Sequence, residues 1–142
     1  MRLTYLNNTL VNNTGASFFY IRGNITVSIP SATGINWEVG SKENITWTQK
    51  GNITAVAISY SNASGNWIPL ASGVNATDPA NRTWEWNITE DYPLTYQQGL
   101  IKVSDYAPGV GDVNDTSNNA FTLKGKLTLN SPTNASTVYT YD

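Results

Sequence analysis

The amino-acid sequence predicts an all-β fold, an antiparallel β-sandwich that repeats with a period of about 102 residues. The first observation is that short apolar-alternating runs, bounded by Gly, Pro, Asn and Asp, recur about every ten residues. The second is that the chain matches itself without a gap over some twenty positions. No segment shows the apolar spacing of a helix, so strands and turns account for the whole pattern.

Seven candidate strands follow from the alternating runs. Turns are predicted at Gly51-Asn52, at residues 62–65 and, as a longer connection, at residues 105–112, because each is rich in Gly, Asn, Asp or Pro. The strands are expected at residues 25–29, 43–48, 53–60, 66–70, 83–88, 99–104 and 120–124.

The internal repeat is read from a shift of 102 residues, which places residues 12–23 over residues 114–125. Both segments begin with an Asn-x-Thr motif and end with a basic residue followed by glycine, and the correspondence continues into the next strand and its proline. Upstream, residues 2–4 resemble residues 102–104, so the offset there is two residues smaller than in the main match. Convergence of two unrelated strands is the alternative, and the length of the match makes a true repeat the better interpretation.

The repeat predicts the domain organisation. We expect a complete β-sandwich at residues 24–125, the last strands of a preceding repeat at 1–23, and the first strand of a following repeat at 126–142. On this interpretation Met1 is an internal methionine, and the chain is a slice of a tandem array.

Asn-x-Ser/Thr sequons are unusually frequent. Eleven occur, none with proline in the middle, whereas chance placement after 18 asparagines would give about four. We interpret them as N-glycosylation sites, which predicts an extracellular, cell-surface location. The alternative is an Asn- and Thr-rich composition that forms sequons by accident. The predicted sites are Asn7, Asn12, Asn24, Asn44, Asn52, Asn62, Asn75, Asn81, Asn87, Asn114 and Asn134.

The sequons also predict which side of a strand faces the core, because a sugar-bearing side chain must face water and strand side chains alternate. Asn24, Asn44 and Asn87 would point outward and place their apolar neighbours inward. The alternation leaves open whether Leu100 or Ile101 faces inward. The predicted core consists of Ile25, Val27, Ile29, Ile45, Trp47, Val56, Ile58, Trp84, Trp86, Leu100, Ile101, Val103, Phe121 and Leu123.

The composition excludes several function classes. The 142 residues include no histidine and no cysteine, which removes disulfides, imidazole and thiolate metal ligands, and Cys or Ser-His-Asp catalysis. The net charge is −2 without a basic cluster, so the chain offers no surface for nucleic acid. No apolar run approaches the length of a membrane span. We therefore expect neither an enzyme nor a nucleic-acid-binding protein.

Two groups of acidic and polar residues are candidate chemical sites. Glu85 lies between two tryptophans and Glu90 is followed by Asp91, which suggests paired glycosidase acids, but a solvated strand face and a turn explain them better. Oxygen ligands between residues 105 and 115 suggest a calcium site, although turns use the same residue types. The calcium candidates are Asp105, Asp112, Asn114 and Asp115.

Aromatic residues outside the predicted core form a further candidate. They would serve as a carbohydrate-stacking platform or as contacts between successive repeats, whereas isolated exposed aromatic residues need neither explanation. These residues are Tyr60, Trp67, Tyr92, Tyr96 and Tyr106.

Five segments carry a family resemblance: residues 37–41, 44–48, 84–88, 101–105 and 115–123. In this order they resemble an immunoglobulin-like repeat of archaeal and bacterial surface proteins. The same repeat is similar to one in the Ser/Thr-rich glycosylphosphatidylinositol-anchored cell-wall proteins of fungi. The resemblance implies an immunoglobulin-like β-sandwich in a structural or adhesive protein, with no catalytic or cofactor-binding residues to carry over, and the sequons favour an archaeal source.

These observations predict a non-enzymatic structural glycoprotein that builds a filament, sheath, stalk or surface layer. Its expected partners are other copies or adjacent repeats of the same protein and, as a further option, cell-surface glycans. Two alternatives stay open, namely a short subunit polymerised by strand exchange and a carbohydrate-binding or adhesin module of a larger protein. No cofactor is expected, with calcium left as an option.

Overall fold

The computed structural model describes residues 2–4, 12–14, 22–63, 65–107 and 113–130, with the backbone alone described for the first two segments. Its strands are β1 Arg2–Thr4, β2 Asn12–Thr14, β3 Asn24–Ile29, β4 Asn36–Glu38, β5 Lys42–Lys50, β6 Ala55–Ser61, β7 Ile68–Asn75, β8 Thr83–Asn87, β9 Thr95–Asp105, β10 Asn114–Thr116 and β11 Phe121–Lys124.

All seven predicted strands are present, with boundaries that differ by up to five residues. Within residues 24–125 the prediction missed β4 and β10, and for residues 1–23, where strands were expected without bounds, the structure gives β1 and β2. Each of these has only three residues, which is too short for alternation to be visible in the sequence.

Two sheets pack face to face, and the predicted all-β sandwich is confirmed. One sheet has the antiparallel order β3-β5-β8. The other has the order β4-β11-β9-β6-β7, and β10 pairs with β9 on the side opposite β6. Antiparallel pairing throughout was predicted, and this is wrong for one pair, because β4 and β11 pair in parallel. Strand β4 lies near the start of the sandwich sequence and β11 at its end, so their pairing depends on contacts between distant parts of the chain, which sequence patterning does not report.

The chain crosses from one sheet to the other between β3 and β4. After β3 the chain passes through the cis Ile29–Pro30 peptide bond and reaches the other sheet as β4. Ser31 holds this crossing, because its hydroxyl donates to the Val27 carbonyl oxygen at 2.8 Å and its own carbonyl accepts from Asn119 Nδ2 at 2.8 Å. The crossing connects both sheets through a single segment of chain.

The core lies between the sheets and is rich in aromatic side chains. Trp37 packs against Phe121 with ring centroids 4.6 Å apart, and Tyr60 packs against Trp86 at 5.3 Å. The structure buries Ile101 and leaves Leu100 half-exposed, which settles the side that the sequence left open. The other buried apolar residues are Ile25, Val27, Ile45, Trp47, Ile53, Val56, Ile58, Ala76, Ile88, Val103, Val113 and Leu123.

Besides Leu100, two residues of the predicted core, Ile29 and Trp84, are not fully buried. Ile29 is 44% exposed, because β3 contains a bulge: Val27 pairs with Trp47 and Ile29 with Thr46, so two residues of β3 oppose one of β5. The extra residue turns Ile29 to the outer face. Trp84 is half-buried at the edge of the core and packs against it.

A buried polar cluster closes one end of the sandwich. The Gln49 side chain accepts a hydrogen bond from Trp47 Nε1 at 3.2 Å and donates to the carbonyl oxygens of Ile53 at 2.7 Å and Ala76 at 3.1 Å. Gln49 therefore ties β5 to the connections that precede β6 and follow β7, and its own polar atoms are satisfied.

The hairpin β1–β2 has the same register as the hairpin β9–β10. Arg2, Leu3 and Thr4 pair with Thr14, Asn13 and Asn12. The corresponding pairs in the hairpin β9–β10 are Lys102–Thr116, Val103–Asp115 and Ser104–Asn114. The strand segments that the repeat aligned are therefore paired residue for residue in both hairpins.

Candidate functional site

The candidate functional surface is the outer face of the sheet β3-β5-β8, together with the connections that carry sequons. Asn24, Asn44 and Asn87 are exposed on this face, while Ile25, on the other side of β3, is buried. The neighbouring outward positions are also polar, because Thr, Lys and Glu occupy them. The prediction that these three asparagines face water is confirmed.

Eight sequon asparagines have described side chains, and none of them is buried. Asn62 is half-buried and seven are exposed. Asn7 and Asn134 lie outside the described residues, as does the side chain of Asn12. The exposed ones are Asn24, Asn44, Asn52, Asn75, Asn81, Asn87 and Asn114.

Hydrogen bonds within the motif occur in the sequons that begin at Asn24 and Asn75. Asn75 Oδ1 accepts from the backbone N–H of Thr77 at 2.9 Å and from its hydroxyl at 2.8 Å. Asn24 Oδ1 accepts from the Thr26 hydroxyl at 3.3 Å. In both, the amide oxygen is held by the third residue of the sequon, which orients the exposed amide nitrogen, the atom that takes an N-linked sugar.

Edge strands carry four of these asparagines, and one of the four is Asn114 on β10, which pairs only with β9. Strands β3 and β8 are the two edges of the smaller sheet and contain Asn24 and Asn87, and β7 is an edge of the larger sheet and ends at Asn75. A bulky, hydrated group at such positions prevents another strand from pairing there.

The acidic residues weighed as glycosidase acids have other partners. Glu85 points outward from β8 and accepts a 2.8 Å ion-pair contact from Lys42, and both side chains are more than half exposed. The hydrogen bond and the charge of Glu85 raise the pKa of Lys42. Asp91 Oδ2 accepts from the Thr89 hydroxyl at 3.2 Å in an exposed turn. The pair Lys42–Glu85 lies between Asn44 and Asn87 on the outer face, where it contributes little stability.

The residues weighed as calcium ligands bind backbone groups instead. Asp105 Oδ1 accepts from the Ala107 N–H at 2.9 Å, and Asp115 Oδ2 accepts from the Val27 N–H at 2.8 Å. Asn114 is exposed, and Asp112 lies outside the described residues. Within the described ranges no group of three or more acidic side chains is placed to hold a metal ion.

The aromatic residues weighed as a platform are separated in space. Tyr60 and Tyr92 belong to the core cluster, with ring centroids 6.4 Å apart. The Trp67 ring is covered by Lys102, whose Nζ lies 4.2 Å from the ring centroid. Tyr96 lies at the start of β9 and Tyr106 directly after its end, so these two exposed rings are at opposite ends of the sandwich.

A groove of about 580 Å³, which sequence reasoning missed, lies at the end of the sandwich where the chain leaves β11. Leu94 forms an apolar wall of the groove and is 55% exposed. The groove forms because the β4–β5 and β8–β9 connections meet there, and no local sequence pattern signals such a meeting. We call it the exit groove and define it by Val39, Gly40, Ile88, Glu90, Leu94 and Gly125.

Comparisons with known proteins give no family for this chain: no protein-family model matches it, and no curated protein shows significant similarity to it. In the part of the chain that the structure describes, no helix is long and apolar enough to cross a membrane.

Proposed function

We propose that this chain is part of a non-enzymatic, extracellular structural glycoprotein, in which a heavily N-glycosylated immunoglobulin-like unit is repeated in tandem to build a filament, sheath, stalk or surface layer. The observation that carries the proposal is the exposure of the sequons. On β3, β5 and β8 the sequon asparagine faces water at Asn24, Asn44 and Asn87, and the adjacent residue faces the core. Such agreement over three strands is unexpected for sequons formed by accident.

The strand order supports an immunoglobulin-like unit. In immunoglobulin domains two antiparallel sheets pack together, and the strands C, F and G share one sheet while B and E share the other. Here β6, β9 and β11 are neighbours in one sheet, and β5 and β8 are neighbours in the other. Strand β7 extends the larger sheet next to β6, as C′ does in variable-type domains.

The shared register of two hairpins supports the tandem array. Hairpin β1–β2 reproduces the pairing of β9–β10, which forms the last part of the complete unit. A second copy of that hairpin before residue 24 is expected if a preceding unit ends there. Seven residues separate the paired Thr4 and Asn12, and nine separate the paired Ser104 and Asn114, which accounts for the additional shift of two between residues 2–4 and 102–104.

Sugars would give this protein solubility and resistance to unwanted pairing. Charged residues make up 13% of the chain, which is low for a surface protein, and hydrated glycans can replace that charge. Four of the five described edge strands in the two main sheets carry a sequon asparagine, where a sugar would prevent edge-to-edge association.

A filament of short subunits joined by strand exchange is the second candidate. The exposure of Leu127 and Leu129, which follow the complete unit, favours it, because an apolar strand without a local core is suited to pair with another copy. The same exposure fits the first strand of a covalent following unit.

The test uses the native protein with its sugars. Peptide mass spectrometry should find glycans at Asn24, Asn44 and Asn87, whereas Asn36 and Asn66 serve as controls, since both are exposed and lie outside sequons. Unmodified asparagine at all three sequons would overturn the proposal. The denatured mass after chemical removal of sugar decides the assembly: a mass far above 15.5 kDa supports the tandem array, and a mass near 15.5 kDa supports strand exchange.

A further inference from the structure

Two glycines mark equivalent positions at opposite ends of the complete unit. Gly23 precedes β3 and Gly125 follows β11, and the 102-residue shift places one over the other. Each follows a basic residue, Arg22 or Lys124. If units repeat in tandem, Gly125 has the same place in the following unit that Gly23 has in this one.

Gly23 is packed tightly against the connection between β5 and β6. A Cβ atom at this position would lie 2.7 Å from the Lys50 carbonyl oxygen and 2.9 Å from Ile53 Cδ1. Gly51, which has a positive φ of 94°, approaches from the other side, and a Cβ there would lie 2.8 Å from the Gly23 Cα. We call residues 50–53 the entry turn. The absence of side chains lets the two backbones meet.

Gly125 contacts the opposite end of the unit. A Cβ atom at Gly125 would lie 3.4 Å from Leu94 Cδ1, in the exit groove. The chain continues along this groove, since Lys126 and Thr128 also line it. The segment that links one unit to the next is therefore already in contact with the first unit.

The residues that follow Gly125 have the pattern of a first strand. Leu127 and Leu129 correspond to Ile25 and Val27, which are 3% and 1% exposed in the core. Here Leu127 is 100% exposed and Leu129 is 76% exposed. In a following unit their side chains would be buried, and that unit would begin directly after Gly125, without a linker.

We propose that the exit groove of one unit binds the entry turn of a second copy, the following unit of the array, so that one glycine is held between both. Gly125 keeps its contact with Leu94 of its own unit. Because it also takes the place of Gly23 in the following unit, it packs there against the residues equivalent to Lys50, Gly51 and Ile53. The entry turn of the next unit must then lie at the exit groove. This inference rests on the tandem array proposed above.

Charge favours the same partner. Lys50 is exposed at the entry turn, and Arg82 lies beside it, with Nη1 donating to the Gln49 carbonyl oxygen at 3.2 Å. Glu90 lines the exit groove together with Lys126, and Asp91 is exposed next to it, so two carboxylates face one ammonium group at this end. Opposite charges would therefore face each other across the joint and set the orientation of the two units.

Two sequons border the joint without occupying its centre. Asn87 lines the rim of the exit groove, and Asn52 follows Gly51 in the entry turn, and both are exposed. Sugars at these positions would surround the contact and restrict access to it. A joint of this kind, with no free linker, makes the array stiff.

The test uses the full chain lengthened by one period, with a second copy of residues 24–125 inserted after Gly125 and produced without sugars. Because the protein has no cysteine, two introduced thiols report one distance. Leu94→Cys in the first copy and Asn52→Cys in the second would lie across the joint. The matched control places Asn52→Cys in the first copy and Leu94→Cys in the second, so the same side chains lie at the outer ends.

A short bis-maleimide should link the first arrangement at least about ten-fold more than the control, because the joint raises the effective concentration of the two thiols. Glu90→Lys in the first copy should lower the yield, and Lys50→Glu in the second copy should restore it. Equal yields in both arrangements, with both units folded, would overturn the joint and leave the array intact. Failure of the second copy to fold would overturn both. Glycosylation of the native chain is an independent readout that this experiment does not affect.

Discussion

The backbone N–H of Val27 donates a 2.8 Å hydrogen bond to the Asp115 carboxylate, which joins β3 of one sheet to β10 of the other. Val27 is buried on an edge strand, so its amide would lose water on folding without gaining a partner from a neighbouring strand. Asp115 is the middle residue of the sequon that begins at Asn114. Alternation along β10 turns Asn114 to water and Asp115 toward β3, so one motif carries both a candidate sugar site and a link between sheets.

Removal of this carboxylate should destabilise the unit. We expect Asp115→Ala to lower the free energy of unfolding by about 1–3 kcal/mol, because the buried Val27 amide loses its acceptor. Asp115→Asn should cost less, since an amide oxygen still accepts, and Asn13 is the corresponding residue in the first hairpin. Urea unfolding of the full chain measures both. Both variants keep the sequon, and a change below about 0.5 kcal/mol for Asp115→Ala would contradict the prediction.

Because of the bulge in β3, two isoleucines on this strand should differ in how much their side chains contribute to stability. Ile25→Ala should lower the free energy of unfolding by about 2–5 kcal/mol, because it leaves a cavity in the core. Ile29→Ala should cost less than about 1 kcal/mol, since this side chain is on the outer face. The comparison is made by urea unfolding under identical conditions. Equal losses for the two variants would mean that the bulge is absent in solution.

A side chain at Gly99 should destabilise the folded protein. A Cβ at this position would lie 3.0 Å from Phe121 Cε2, from its Cζ and from its carbonyl oxygen. The ring belongs to the packed core and the carbonyl to the backbone of β11, so neither can move freely. We expect Gly99→Ala to cost about 1–3 kcal/mol in thermal or urea unfolding. Gln98→Ala, at the exposed neighbouring position, is the control and should change stability by less than about 0.5 kcal/mol.

Tyr60 should make stability depend on alkaline pH. Its hydroxyl donates to the Pro93 carbonyl oxygen at 2.7 Å, and burial raises its pKa to about 12 from 10.0. Between these values the unfolded chain releases the phenolic proton and the folded chain keeps it. The contribution of the Tyr60 proton to the free energy of unfolding is therefore fully present below pH 10. It is lost as the pH rises toward 12, and the free energy of unfolding falls by up to about 2–3 kcal/mol.

Tyr60→Phe isolates that effect. The variant should lose about 0.5–1.5 kcal/mol near neutral pH, because the hydrogen bond to Pro93 is absent. Its stability should then fall less steeply than that of the parent between pH 10 and pH 12. Urea unfolding at several pH values measures both curves. Parallel curves would show that Tyr60 is not the group that titrates.

Local patterning was sufficient to predict the seven longer strands and the exposure of the sequon asparagines on three of them. Side chains of a strand alternate between two faces, so a polar residue at Asn44 and an apolar one at Ile45 determine orientation from the sequence alone. The same rule failed at Ile29, because the bulge that shifts the alternation depends on the pairing of β3 with β5. The exit groove was missed for a related reason, since Val39, Leu94 and Gly125 come from three separate parts of the chain.

The sequence by itself therefore determined the all-β class, the face of most strands and the positions of the sequons, because each of these depends on residues that are close along the chain. Only the tertiary structure decided the parallel pairing of β4 with β11, the burial of Tyr60 and the partner of Asp115. Each of these joins residues that are distant in sequence, and local periodicity carries no record of which strands meet.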